Sequence, residues 1–147
     1  MSRMSASQFI APRGHRFALA LFAIVGCTMT TPEIASVPLQ ANFRLQIARR
    51  PMHQFSAEYA REARLYEGNR EVATDSLFPD TGGYGALALY ARVGGDYIVH
   101  GRFESYVVST SARTISRVDS DSARGELLGT FDATKDGLWT FSRAAGK

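Results

Sequence analysis

The sequence predicts an all-β domain, either an antiparallel β-sandwich or a small meander barrel of about eight strands. Two observations predict it. From residue 42 onward, short runs of apolar and β-branched residues recur at a spacing of about eight to twelve residues, and turn sequences with Gly, Asn and Asp separate them. The chain also shows no internal repeat and no low-complexity tract, so we expect a single domain.

The first strands are predicted by a period of two. Phe43, Leu45 and Ile47 alternate with less apolar neighbours, as in a strand with one buried face. The segment 55–67 is ambiguous, because its apolar residues fit both an alternating strand and a short helix near 56–64. We favour the strand, and the short helix is the alternative.

The remaining elements follow in order. Gly68 and Asn69 have the composition of a hairpin turn, and residues 94–96 and Lys135–Gly137 predict two further turns. Strands are predicted over 84–93, 97–108, 112–118, 125–133 and 138–143. We expect one face of the 97–108 strand, including Val99 and Phe103, to lie in the core.

The N-terminus has the layout of a secretory signal. Residues 17–25 form an apolar run of nine residues, less than half of the roughly 20 that a membrane-spanning helix needs. Arg3, Arg13 and Arg16 precede this run, and small residues follow it. A basic segment, a short apolar core and small residues indicate a signal peptide rather than a membrane anchor.

The residues after the apolar run resemble the lipobox of bacterial lipoproteins. Ile24-Val25-Gly26-Cys27 has a branched aliphatic residue and two smaller ones before the Cys, which is the only cysteine of the chain. In that family the Cys sulfur is diacylated, the chain is cut before the Cys, and the new amino terminus is acylated. The resemblance implies a signal peptide at 1–26 and lipidation of Cys27. Thr28 stands where an inner-membrane retention signal is usually Asp, which implies an outer-membrane lipoprotein that faces the periplasm.

The residues after the Cys predict a linker. The segment 28–41 contains two prolines and four Ser or Thr residues and has no sustained period. We therefore expect a lipidated N-terminus and flexible tether at 27–41 and the β domain at 42–147.

The charge balance argues against a nucleic-acid partner. The whole chain has a net charge of +3, but three of its 17 basic residues and none of its 14 acidic residues precede Cys27. The mature chain is therefore neutral, and we expect no nucleic-acid binding.

The predicted strand 97–108 carries a polar row. Its members alternate along one face: Asp96, His100, Arg102, Glu104 and Tyr106. Side chains two positions apart on a strand are roughly 7 Å apart, too far for direct hydrogen bonds between neighbouring heads. We expect a solvated sheet face and, where the domain binds a partner, its contact surface.

One acidic triplet suggests a different chemistry. Asp80-Thr81-Gly82 resembles the active-site triplet of aspartic proteases, but those enzymes need two carboxylates that face each other, and the chain has one copy. Asp-Thr-Gly-Gly is also a good turn sequence, and we expect a turn at 80–83.

The function predicted from the sequence is that of a lipid-anchored envelope module. It would be an accessory lipoprotein of an envelope complex or an inhibitor of an envelope enzyme, held by the membrane and bound to an envelope protein. No cofactor or metal is expected, since Arg143 stands where a calcium loop begun at Asp132 would need Glu. The alternative is a small periplasmic hydrolase that uses His100 with Glu104, or Asp80.

Overall fold

The computed structural model describes residues 30–53, 55–83, 85–119 and 125–145 of the 147-residue chain. Within these ranges the chain forms ten strands and no helix. The strands are β1 (Glu33–Pro38), β2 (Phe43–Pro51), β3 (Tyr59–Glu67), β4 (Arg70–Asp80), β5 (Leu87–Ala91), β6 (Tyr97–His100), β7 (Ser105–Ser109), β8 (Thr114–Val118), β9 (Glu126–Ala133) and β10 (Trp139–Arg143).

The strands form two antiparallel sheets that pack face to face. The four-stranded sheet is the meander β1-β2-β3-β4, and the six-stranded sheet has the order β10-β9-β5-β6-β7-β8. β1 lies beside β10 and β4 lies beside β8, so the layers meet along both sides. The all-β antiparallel sandwich is thus confirmed, and the described strands do not close into a barrel.

The core lies between the sheets and follows the period of two. In β2 the side chains of Leu45 and Ile47 are fully buried, and they lie opposite Leu65 and Ala63 of β3. The six-stranded sheet contributes Leu87, Leu89, Val99, Val108 and Phe131 to the same cluster.

The ambiguous segment 55–67 contains strand β3, so the alternative prediction of a short helix near 56–64 is wrong. β3 pairs with β2 on one side and β4 on the other, which satisfies its backbone along both edges. Gly68 has a φ of 61°, a left-handed conformation that a tight turn needs and that Gly adopts without a steric penalty. The turns predicted at Gly68-Asn69, 94–96 and 135–137 are confirmed.

The β domain begins earlier than predicted. β1 occupies 33–38, inside the segment 27–41 that we expected to be a tether, and its Ala35 and Val37 are buried. Pro32 and Pro38 flank it, which made the segment resemble a linker. Proline is tolerated at the ends of edge strands, and β1 is an edge strand.

The predicted strand 97–108 is two strands. β6 ends at His100 and β7 starts at Ser105, and the four residues 101–104 turn the chain between them. The turn needs a glycine at 101, because a Cβ there would overlap the Glu104 carboxylate and approach Leu87 within 3.1 Å. Val99 is in the core as predicted, but Phe103 is 59% exposed.

The sandwich has two ends that differ in character. The arginine end, named for the buried Arg49 and Arg61, holds the start of β1, the described residues of the loop 52–58 and of the segment 81–86, and the turns 101–104 and 134–138. The opposite end holds the turns 39–42, 68–69, 92–96 and 110–113. There, the Gln40 side chain donates a hydrogen bond to the Gly95 carbonyl, 3.1 Å away.

Truncation tests the new domain boundary. A chain that starts at Asn42 should be less stable than one that starts at Thr30 by about 2 kcal/mol or more, because it loses the buried Val37 side chain among other contacts. Urea unfolding measures the difference. Within the intact strand, Val37→Ala should be destabilising and the exposed Ile34→Ala should be close to neutral. Equal midpoints for the two chain lengths would restore the tether interpretation.

Candidate functional site

Two arginines lie side by side in the core face of the four-stranded sheet. Arg49 of β2 and Arg61 of β3 are opposite each other in the register, and each is only 6% exposed. They share the strand face of the buried Ile47 and Ala63, because alternate residues point the same way. A guanidinium stays charged in proteins, so each arginine needs acceptors within the core.

Arg61 joins four segments of the chain. Its Nε and Nη2 donate to the Phe78 carbonyl at 2.9 and 2.6 Å, and its Nη1 donates to the Gly85 carbonyl at 3.0 Å. Nη2 also donates to Glu104 Oε1 at 2.9 Å, across to the six-stranded sheet. Burial lowers the pKa of Arg61, and the carboxylates of Glu104 and Asp80 act in the opposite sense.

Arg49 makes a second link between the sheets. Its Nε and Nη2 donate to the Glu33 carboxylate at 2.9 and 2.7 Å, and Nη2 also donates to the Gly137 carbonyl at 2.9 Å. Its guanidinium lies 4.5 Å from the centre of the Tyr59 ring and 4.7 Å from the Trp139 ring, within the range of cation–π contacts. Arg49 therefore holds β1 and the β9–β10 turn on β2.

A small cleft opens beside Arg61. It has a volume of 110 Å³, and its walls come from Arg61, residues 78–82 and residues 102–104. At about 30 Å³ per water molecule it holds only a few waters, and it is well below the roughly 300 Å³ of small-molecule pockets. The rings of Phe78 and Phe103 meet edge to face at its rim, 6.2 Å between centres.

A wider depression of 440 Å³ lies next to the cleft. Among the described residues, Phe103 and residues 117–119 line it.

The polar row predicted on one strand face is divided by the turn at 101–104. Asp96 lies at the opposite end of the sandwich, and His100 points away from the core. Arg102 is exposed, 5.0 Å from the centre of the Phe103 ring. Glu104 and Tyr106 are buried and point inward. These five residues therefore do not form one contact surface.

Tyr106 supports the edge of the four-stranded sheet. Its hydroxyl oxygen accepts a hydrogen bond from the Phe78 backbone N–H at 2.9 Å. Burial raises the pKa of Tyr106, and the Phe78 hydrogen bond opposes that shift. Its role is structural, because it satisfies an N–H on β4, which is an edge strand.

His100 pairs with a residue that the sequence had not indicated. Its Nδ1 lies 2.8 Å from Ser105 Oγ, since the two residues are opposite each other in the β6–β7 register. A serine beside an imidazole is the contact of a base-activated nucleophile. Ser105 is only 1% exposed, however, so a substrate carbonyl cannot reach its hydroxyl in this conformation.

Asp80 is the last residue of β4, and the predicted loop follows it at 81–83. Its Oδ1 accepts the Gly82 N–H at 3.0 Å, and a Cβ at residue 85 would overlap its carboxylate. The cleft thus brings Asp80 and Glu104 near the single Arg61. A cation among carboxylates differs from the aspartic-protease pair, in which two carboxylates share one proton.

The described parts of the chain hold neither a metal site nor a membrane-spanning helix. Within them, no group of three His, Cys, Asp or Glu side chains is placed to hold a metal ion. The same ranges contain no helix that is long and apolar enough to cross a membrane. Cys27 and the predicted signal peptide at 1–26 lie outside the described residues.

Comparisons with known proteins returned no match: no protein-family model, no curated protein and no solved structure is similar to this chain.

Sequence reasoning missed the two arginines that organise the site. The signal was present, because Arg49 follows Leu45 and Ile47 at the same spacing of two, and Arg61 precedes Ala63 and Leu65 in the same way. The alternation alone places both guanidiniums in the core.

Removal of the Glu104 carboxylate should strongly destabilise the fold. Glu104→Ala should cost about 3–5 kcal/mol, because it leaves Arg61 buried without its ion-pair partner, and Glu104→Gln should cost less because its amide oxygen still accepts a hydrogen bond. Glu62→Ala is the matched control: it breaks a half-exposed pair with Arg64 and should cost under about 1 kcal/mol. Urea unfolding of the three variants measures the change in the free energy of unfolding. Similar decreases for Glu104→Ala and Glu62→Ala would refute a central role for the buried pair.

Proposed function

We propose that this protein is a lipid-anchored envelope module that binds or assembles with an envelope protein, as an accessory lipoprotein or as an inhibitor of an envelope enzyme. One observation carries the proposal: Ile24-Val25-Gly26-Cys27 ends a short basic and apolar leader, and the β-sandwich starts at Glu33, six positions after the Cys. By resemblance to bacterial lipoproteins, Cys27 is the lipidated first residue of the mature chain.

The geometry of the site supports binding rather than catalysis. The carboxylate of Glu104 is engaged by Arg61, and that of Asp80 accepts a turn N–H. The cleft between them is too small for a substrate of ordinary size. An exposed aromatic and cationic rim, in contrast, suits contact with another surface.

The contact between His100 and Ser105 is the observation that favours the alternative, a small periplasmic hydrolase. In that reaction His100 would take the Ser105 proton while the oxygen attacks an ester or amide carbonyl. Burial of Ser105 opposes it, and Glu104 is directed to Arg61 on the inner side, whereas His100 points outward. A binding module, in contrast to a hydrolase, does not require Ser105 to become exposed or Glu104 to leave Arg61.

The proposed location is the outer membrane, with the domain in the periplasm. Thr28 follows the Cys in place of the Asp that usually retains lipoproteins at the inner membrane. Three acyl chains at one residue would make the attachment effectively permanent, because each buried CH₂ contributes about 0.8 kcal/mol.

Replacement of Cys27 tests the anchor. Cys27→Ser should abolish acylation and cleavage by the lipoprotein peptidase, so that uncut precursor accumulates in the inner membrane. Mass spectrometry of the N-terminal peptide provides the measurement, with Thr28→Ser as a control that should be processed normally. A wild-type peptide that starts upstream of Cys27 without a lipid would contradict both the anchor and the location.

Crosslinking in cells tests the binding function. Capture through a C-terminal tag should recover one predominant envelope protein with the wild type and much less with Cys27→Ser, since the anchor concentrates both proteins at one membrane. Asp80→Ala with His100→Ala should still recover that protein, because the proposal assigns neither side chain a catalytic role. Absence of a specific crosslinked protein, together with an ester hydrolysis that Ser105→Ala abolishes, would favour the hydrolase.

A further inference from the structure

Exposed apolar side chains concentrate at the arginine end. Of the eight large hydrophobic residues that the described chain exposes, five lie there: Met52, Phe55, Phe78, Phe103 and Leu138. They come from four separate segments, namely the loop 52–58, the end of β4 and the turns 101–104 and 134–138. Phe55 is 97% exposed, and several exposed apolar side chains at one end, unlike a single one, indicate an interaction site.

The four segments gather around one end of the sandwich. The rings of Phe78 and Phe103 are in contact, and Gly82 lies close to Ala57 of the loop 52–58. The turn 134–138 contains Leu138, and its Gly137 carbonyl accepts a hydrogen bond from Arg49. The segments that carry the apolar side chains thus lie at the same end as the polar network of the two arginines.

The length of chain before β1 identifies what this end faces. Six residue steps separate Cys27 from Glu33, so the two are at most about 21 Å apart at about 3.5 Å per residue. Glu33 is at the arginine end, held there by Arg49. β3 has nine residues and is roughly 30 Å long at 3.3 Å per residue, so the opposite end is beyond the reach of the six residue steps that follow Cys27.

The residues at this end have the chemistry of a membrane-surface contact. Phenylalanine, leucine and methionine side chains enter the boundary between headgroups and acyl chains, and nearby cations contact lipid phosphates. Arg50, Arg102 and Lys135 are exposed at this end, and so is Asp136, so the apolar side chains rather than the net charge carry the contact.

We propose that the arginine end docks on the bilayer that holds Cys27, with Phe55, Phe103 and Leu138 inserted among the lipid headgroups. This inference rests on the lipid anchor of the proposed function. Docking fixes the orientation of the domain, so that the turns 39–42, 68–69, 92–96 and 110–113 point away from the membrane.

The lipidated full chain allows a site-specific test. Cys27 is the only cysteine and is blocked by the lipid, so one introduced cysteine is the only free thiol. Labelling of Phe55→Cys and Leu138→Cys places an environment-sensitive fluorophore at the arginine end, and labelling of Val93→Cys places it at the opposite end, at a residue that is as exposed as Phe55. Each protein is reconstituted in vesicles of phosphatidylethanolamine and phosphatidylglycerol, with and without a nitroxide-bearing lipid.

Docking predicts that the fluorophore emission at residues 55 and 138 shifts to the blue and is quenched by the nitroxide-bearing lipid. At residue 93 we expect neither change. Equal emission at all three positions, in a sample whose intact mass shows the acyl chains, would overturn docking and leave the anchor in place. A blue shift without nitroxide quenching would mean that protein covers this end, which also overturns docking. An intact mass without acyl chains would overturn the proposed anchor and the docking together.

Discussion

The fold depends on two charges that the strand pattern forces into the core. Arg49 and Arg61 lie opposite each other in β2 and β3, on the face that also carries Ile47 and Ala63, and neither can lose its charge. Their acceptors come from elsewhere in the chain: Glu33 in β1, the Gly137 carbonyl and the Glu104 carboxylate. Buried ion pairs add little net stability compared with apolar packing, because desolvation offsets their attraction. Here they determine which segments must meet, and so they set how the two sheets are joined at this end.

Sequence periodicity predicted the fold class because period two reports which side chains share a face. It predicted the β2 and β3 strands and the Gly68-Asn69 turn, and it placed Val99 in the core. It did not show that Glu104 points inward, because a run of β-forming residues from Tyr97 to Val108 concealed a turn, and an acidic side chain is expected in water. Whether a buried charge finds a partner depends on the other sheet, which local sequence does not describe. The cleft was missed for the same reason, and the His100–Ser105 contact was missed because the turn at 101–104 was not recognised.

The turn at 101–104 links the buried network to the exposed apolar end. Gly101 lets the Glu104 carboxylate fold back over the turn toward Arg61, and the adjacent Phe103 side chain is left outside, against Phe78. The usual distribution of side chains in a β-sandwich is thereby reversed at this end, because charged groups are buried and aromatic rings are exposed. A lone exposed phenylalanine is unremarkable, but one whose neighbour is held by a buried ion pair cannot turn inward without breaking that pair. The exposure of Phe103 is therefore built into the fold.

The position of β1 changes what a lipid anchor would mean for this domain. With a linker of 14 residues, the domain would move freely at some distance from the bilayer and could present any face to a partner. Because residues 33–38 are part of the sheet, only five residues separate Cys27 from β1, and Arg49 holds Glu33 beside the other loops of the arginine end. A short attachment restricts rotation as well as distance, since the attachment point lies at one end of the long axis of the strands. Under the proposed anchor, an envelope partner would therefore meet the sheet edges or the opposite end, which lies roughly 30 Å from Glu33.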